Sequence, residues 1–182
     1  MSTDPIELFR RATAHAARVL EGVRHDQPSA PTPCIEWSVQ DLVDHMVGST
    51  EYLLASLAGR EPAPPTGIDT ADYRTGVAQV LEGLAEPGVL ERTCPSPLGF
   101  EWTVGQAVAG TFMDNLVHTW DLATATDQDA TLDPDLVAAC TAMFFPTMPE
   151  MGRAGGLIGP AVEVPADAPA QVAFLAALGR HS

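Results

Sequence analysis

The chain has 182 residues, of which 46% are hydrophobic and 18% charged, and these values fit one folded domain spanning residues 1–182. Its formal charge is −15 and its nine basic residues are all arginines, so the chain cannot use a Schiff-base lysine. Because so acidic a protein repels phosphate groups, we expect neither nucleic acid nor an anionic membrane as a partner. A small-molecule substrate is expected instead, and the sequence leaves open whether the protein forms a homodimer.

Targeting signals and cysteine spacing give two further expectations. The N-terminus has neither the basic start nor the apolar run of a signal peptide, and no later stretch is long and apolar enough to span a bilayer, so we expect a cytoplasmic location. Cys34, Cys94 and Cys140 are widely spaced and form no CxxC pair. We therefore predict reduced thiols, and neither a disulfide framework nor a thiolate zinc site.

Capping signals and helical spacing of apolar residues predict six helices. Ser38 with Asp41, and Thr103 with Gln106, each have the spacing of a capping box at a helix start. Proline at an opening turn predicts two more starts. The predicted helices cover about residues 5–24, 39–57, 71–87, 104–126, 134–145 and 166–179. Thr3 or Asp4 would cap the first helix, Asp133 would begin the fifth, and Gly179 would end the last.

The length and spacing of these helices predict the fold class. Four long amphipathic helices with connectors of this size favour an all-α four-helix bundle. The end of the chain would form a short extension packed across it, with residues 146–160 as loop and the stretch AVEV, residues 161–164, as a short strand.

Ligand-type side chains interrupt the apolar stripes of two predicted helices. In the stretch FMDNLVHTWDL, residues 112–122, Asp114 and His118 lie one turn apart on one stripe of the fourth helix. His45 lies on the inward stripe of the second helix, where an aliphatic residue is typical. Because metal sites in helical bundles use inward-facing carboxylates and imidazoles, we predict that His45, Asp114 and His118 hold one divalent ion.

The donor atoms indicate which metals would fit this site, and a second interpretation of the same residues needs no metal. Two nitrogen donors and one oxygen donor favour zinc, while nickel, manganese and iron also fit, and three protein ligands leave a position for water or substrate. In the competing interpretation both histidines are core residues that bind carbonyl groups, and Asp114 pairs with one of them. The spacing of Asp114 and His118 alone is a weak signal; the interruption of both stripes favours the metal.

Other side chains near these helices have two interpretations each. Asp121 either orients a ligand histidine or faces solvent one turn beyond His118. Trp37, Trp102 and Trp120 are interpreted as core or pocket wall. Cys34, just before the second helix, is either a reactive or a structural thiol, and the structural interpretation is favoured.

Two stretches of the sequence resemble a known family. TPCIEWSVQDLVDHMVG, residues 32–48, and DNLVHTWDLATAT, residues 114–126, are similar to the two characteristic stretches of the DinB-like metalloenzymes. The closest resemblance is to the single-domain actinobacterial branch related to mycothiol-dependent maleylpyruvate isomerase. The closing residues 159–180 resemble the tail of that branch, so the resemblance covers nearly the whole chain.

The resemblance implies a DinB-like bundle with a divalent metal at one end, held at the positions of His45, Asp114 and His118. The isomerase carries Glu at the position of Asp114, and the shorter Asp implies a shift of the second helix toward the metal. The isomerase also has a separate C-terminal domain where this chain has a short tail, so we do not expect maleylpyruvate as the substrate.

Three functional hypotheses follow. In the first, the protein is a metal- and thiol-dependent transferase or isomerase, in which the ion binds the thiolate of a cosubstrate such as mycothiol and presents it to a small electrophile. In the second, the bundle binds a metal or a small molecule without turnover. In the third, the motif residues are polar core residues of a protein-binding bundle.

Overall fold

Seven helices, a two-stranded sheet and one 3₁₀ turn make up the regular structure of the described residues. The computed structural model describes residues 3–34, 36–63, 70–97 and 99–181. In chain order the elements are α1 (Pro5–Glu21), α2 (Val39–Ala58), α3 (Thr70–Gly83), the 3₁₀ turn (Val89–Glu91), β1 (Thr93–Pro95), β2 (Glu101–Thr103), α4 (Val104–Ala125), α5 (Pro134–Phe144), α6 (Thr147–Ala154) and α7 (Ala170–Ala177).

The chain groups into two compact units, and the first, residues 4–130, is a four-helix bundle. In it α1 packs against α4 and α3, and α2 packs against α3 and α4. Apolar side chains from all four helices form one buried cluster, which includes Leu20, Leu42, Met46, Tyr73 and Leu122. The predicted all-α, DinB-like bundle is therefore confirmed. No helix within the described ranges combines the length and the apolar character needed to cross a bilayer.

The helix starts of the bundle follow the predicted caps. Both capping boxes are formed, with Ser38 bonded reciprocally to Asp41 and Thr103 to Gln106. Of the two predicted caps for α1, it is the Asp4 side chain that accepts from the backbone at the helix start. The ends are less well predicted, because α1 stops at Glu21 and α3 at Gly83, each about one turn short of its predicted end.

A short hairpin and a close helix contact fix the position of α2. The hairpin β1–β2 was predicted only as a connector, and it brings Trp102 to α2, where its indole Nε1 donates to the Tyr52 hydroxyl at 2.7 Å. On the other side, Gly76 of α3 faces Thr50 of α2 so closely that a Cβ atom would lie 2.2 Å from its hydroxyl oxygen. Any larger residue at position 76 would force α2 and α3 apart.

The second unit contains α5, α6 and α7, in residues 131–181. The rings of Phe145 and Phe174 stack at 5.5 Å between centroids, joining the end of α5 to α7. Two predictions were wrong in this unit. Residues 147–154 form α6 where a loop was predicted, and residues 161–164 form no strand, since their backbone contributes only a single bond from Val162 N–H to the Ala176 carbonyl at 2.9 Å.

Candidate metal centre

Helix α4 supplies two of the three predicted ligands. Asp114 and His118 are four residues apart, so their side chains lie side by side one turn apart. The Asp114 Oδ1 atom is 3.3 Å from His118 Nε2. The Thr103 capping box begins this helix almost three turns before Asp114.

Helix α2 supplies the third ligand from across the bundle. The His45 Nε2 atom lies 3.1 Å and 3.2 Å from the two carboxylate oxygens of Asp114. The two helices run antiparallel, because Tyr52 near the end of α2 contacts Trp102, just before the start of α4, whereas His45, earlier in α2, contacts Asp114 further along α4. His45 therefore meets the middle of α4, at the turn that carries Asp114 and His118.

The three predicted ligands converge on one point. Their ligand atoms all lie within 4.8 Å of one another. Two ligand atoms of a tetrahedral ion, each about 2.0–2.1 Å from it, are about 3.3 Å apart, and both histidine nitrogens lie at nearly this distance from Asp114. From its place on α4, Asp114 lies 3.1 Å from the His45 ring and 3.3 Å from the His118 ring. The donor set and spacing fit a divalent ion; that one binds stays a prediction.

The centre is partly exposed to solvent. The side chains of His45 and Asp114 are 35% and 32% exposed, whereas that of His118 is 10% exposed. A small molecule can therefore approach the centre from the side of His45 and Asp114, while His118 lies buried beneath them.

The charges of the centre are strongly coupled. Burial raises the pKa of Asp114, but the charges of His118 and His45 and their hydrogen bonds outweigh burial and hold that pKa far below its ordinary value. Burial lowers the pKa of His118, but the charge and hydrogen bond of Asp114, aided by Asp121, raise it to about 9. Asp114 is thus a carboxylate at neutral pH, the form that a metal ion needs.

Asp121 is a buried partner of His118, so its solvent-facing interpretation is wrong. Its side chain is fully buried, and its Oδ2 atom lies 2.9 Å from His118 Nδ1. The spacing of three residues on one helix places the two side chains together. The sequence left this role open because position 121 lies at the edge of the inward stripe of α4.

Trp37 forms one wall of the centre. It stands directly before the Ser38 cap, and its ring lies 4.8 Å from the His45 ring and stacks 5.7 Å from the His118 ring, at 25° between planes. The backbone of half-buried Cys34 holds it there by accepting the Trp37 N–H at 3.0 Å. The other two tryptophans differ, since Trp102 binds Tyr52 and Trp120 is buried in the core.

A buried polar network beside Asp114 was missed from the sequence. The Tyr73 hydroxyl donates to Asn115 Oδ1, and the Asn115 amide donates to the Thr111 carbonyl at 2.9 Å and to Ser49 at 3.4 Å. Burial and the charge of Asp114 raise the pKa of Tyr73 well above its ordinary value, so its hydroxyl stays protonated. An asparagine next to a ligand on a buried stripe is the one signal that could have found it.

The fold and the centre together define a class, that of helical-bundle proteins with a candidate site of two histidines and one carboxylate. Residues 9–123 match the family described as the mycothiol maleylpyruvate isomerase N-terminal domain, and the chain belongs to that family. The matched range includes all three predicted ligands and Asp121.

Two relatives are uncharacterized proteins of Mycobacterium tuberculosis, from strains CDC 1551 and H37Rv. Each is 38% identical to this chain over 157 residues, which cover 82% of this chain and 85% of the relative. No solved structure matches the chain significantly. The resemblance inferred from the two sequence stretches is thus confirmed at the level of the family.

Proposed function

We propose that His45, Asp114 and His118 hold a divalent metal ion, with zinc as the first choice, and that the protein uses it to activate a low-molecular-weight thiol such as mycothiol for transfer to, or isomerisation of, a small electrophile. The observation that carries the proposal is the convergence of the three ligand atoms within 4.8 Å, beside an open face. Nickel, manganese and iron also suit two imidazoles and a carboxylate.

The side chains at the proposed site have different roles. Asp114 lies between the two imidazoles and contributes the negative charge that offsets part of the charge of a cation. His118 would bind the ion from the buried side, and His45 would bind it from the side that is partly exposed to solvent. Trp37 closes one side, so an incoming molecule is confined to the face of His45 and Asp114. A bound divalent ion would lower the pKa of a coordinated thiol, which then needs no protein base at neutral pH.

The family supports the choice of thiol. The matched domain carries the name of a mycothiol-dependent isomerase, and the candidate centre lies inside the matched residues 9–123. A thiol without net negative charge would suit the net charge of −15, because an anionic thiol would be repelled.

A cobalt-substituted protein tests the proposal. Addition of mycothiol should produce a thiolate-to-cobalt charge-transfer band, and incubation with candidate electrophiles should consume the thiol. His118→Ala should abolish the band, because two ligands hold the ion too weakly. Cys34→Ala should leave it intact, since the thiolate comes from the cosubstrate.

The matched control is His25→Ala, which removes an exposed histidine remote in sequence from all three ligands. Failure of the wild-type protein to retain any divalent metal would overturn the metal site. Retained metal with an unchanged spectrum at saturating thiol would leave a metal- or small-molecule-binding protein without thiol chemistry.

A further inference from the structure

The two histidines of the candidate centre are held in different ways. His45 uses Nε2 toward Asp114, and its Nδ1 has no hydrogen-bond partner among the described residues. His118 is contacted at both nitrogens, with Nε2 3.3 Å from Asp114 and Nδ1 2.9 Å from Asp121. Hydrogen-bond contacts at both nitrogens therefore fix the orientation of the His118 ring, whereas the His45 ring, among the residues that the structure describes, has such a contact at Nε2 alone.

The carboxylate of Asp121 determines which ring nitrogen of His118 carries hydrogen. An ionised carboxylate only accepts hydrogen bonds, and a neutral imidazole has one N–H. With Asp121 at Nδ1, the neutral form of His118 keeps its hydrogen on Nδ1 and has its lone pair on Nε2, the nitrogen on the side of Asp114. Because Asp121 is fully buried, no water competes for this bond.

We propose that Asp121 is a positioning residue that selects the Nε2-binding tautomer of His118 and thereby sets the metal affinity of the centre. This inference rests on the proposed metal site. Asp121 touches neither the ion nor a substrate; it acts through the imidazole. Loss of such a partner typically costs 10- to 100-fold in metal affinity.

Asp121→Asn is the main test, since the amide has nearly the same size. Its NH₂ group can donate to Nδ1 and so favours the wrong tautomer, with hydrogen on Nε2. Zinc affinity, measured by competition with a chelator, should fall by about 10- to 100-fold. Asp44→Asn is the control for charge, because it removes one carboxylate beside His45 without touching His118; its affinity should stay within about threefold of wild type.

Nuclear magnetic resonance of the zinc-loaded wild-type protein tests the tautomer directly. In ¹⁵N-labelled protein the His118 Nδ1–H proton should be visible and slow to exchange, with Nε2 shifted by the metal. This measurement decides the question even if Asp121→Asn does not fold.

The failures can be told apart. Wild-type protein that binds no zinc overturns the proposed function. Wild-type protein that binds zinc through His118 Nδ1, or a folded Asp121→Asn variant with unchanged affinity, overturns the role of Asp121 and leaves the metal site standing. A variant that is merely less stable but keeps full affinity belongs to this second case.

Discussion

His118 carries a proton that an incoming metal ion must displace. Asp114 and Asp121 outweigh the effect of burial and raise its pKa to about 9 in the absence of metal. An imidazole coordinates only in its neutral form, so metal binding at neutral pH releases this proton. Asp114 adds no proton to the exchange, because its pKa lies far below the working range.

Metal affinity should therefore rise with pH. Between pH 7 and 8 the apparent association constant should increase about tenfold for the proton lost from His118, and the increase should level off above a pH of about 9. Competition with a chelator at a series of pH values measures the slope, and calorimetry in buffers of different ionisation enthalpy counts the protons released. An affinity independent of pH from 7 to 9 would contradict a protonated His118.

The cluster of three candidate ligands could be predicted from the sequence, but its surroundings could not. His45, Asp114 and His118 stand out because each interrupts an apolar stripe, and the helical period places them inward. Asp121 lies at the edge of the inward stripe, where a small rotation of α4 about its axis determines whether the side chain is buried or exposed. The helical period of the sequence does not define that rotation closely enough. Trp37 lies outside any helix, so no periodicity describes its position over the two histidine rings.

At the scale of elements, capping residues predicted helix starts better than any signal predicted ends or short pieces. Residues 146–160, which include Pro149, were predicted as a loop. In α6, however, Pro149 lies in the first turn, where a backbone N–H has no partner within the helix, so proline is tolerated there. The three-residue strands of the hairpin are too short for an alternating pattern. The stretch at residues 161–164 has strand-like residues, but no strand of the described part of the chain pairs with it.

The capping box of α4 gives a prediction for stability. Thr103→Ala removes the side-chain oxygen that accepts the Gln106 N–H at 3.1 Å. The free energy of unfolding should fall by about 1 kcal/mol, and the melting temperature by about 2–4 °C. Thermal denaturation followed by circular dichroism measures both.

Thr124→Ala is the control, because the side chain of this exposed threonine of the same helix makes no cap bond. Metal stoichiometry should be unchanged in both variants, since Asp114 and His118 lie well inside α4 and His45 lies on α2. Equal melting temperatures for Thr103→Ala and the wild type would show that the cap contributes no stability.

At the scale of the whole molecule, the bundle is held together by its apolar cluster. Side chains from α1, α2, α3 and α4 meet in one buried core, and the centre lies to the side of it, partly open to solvent. Small zinc domains differ, because they lack such a core and unfold without metal.

Removal of metal should therefore lower stability without unfolding the protein. Excess chelator should reduce the melting temperature by several degrees through loss of binding energy, while the helical circular dichroism at 25 °C stays unchanged. Complete loss of the helical signal on chelation would contradict this result and would make the ion a structural requirement.

The distance along the chain between the ligands also sets an order of events during synthesis and folding. His45 and Asp114 meet across 69 residues, whereas Asp114 and His118 share one turn of α4. The ribosome completes α2 long before α4 emerges, and the long loop between them must close before the three ligands meet. The complete three-residue site therefore forms only once α2 and α4 have packed together, and we expect a divalent ion to bind the formed bundle.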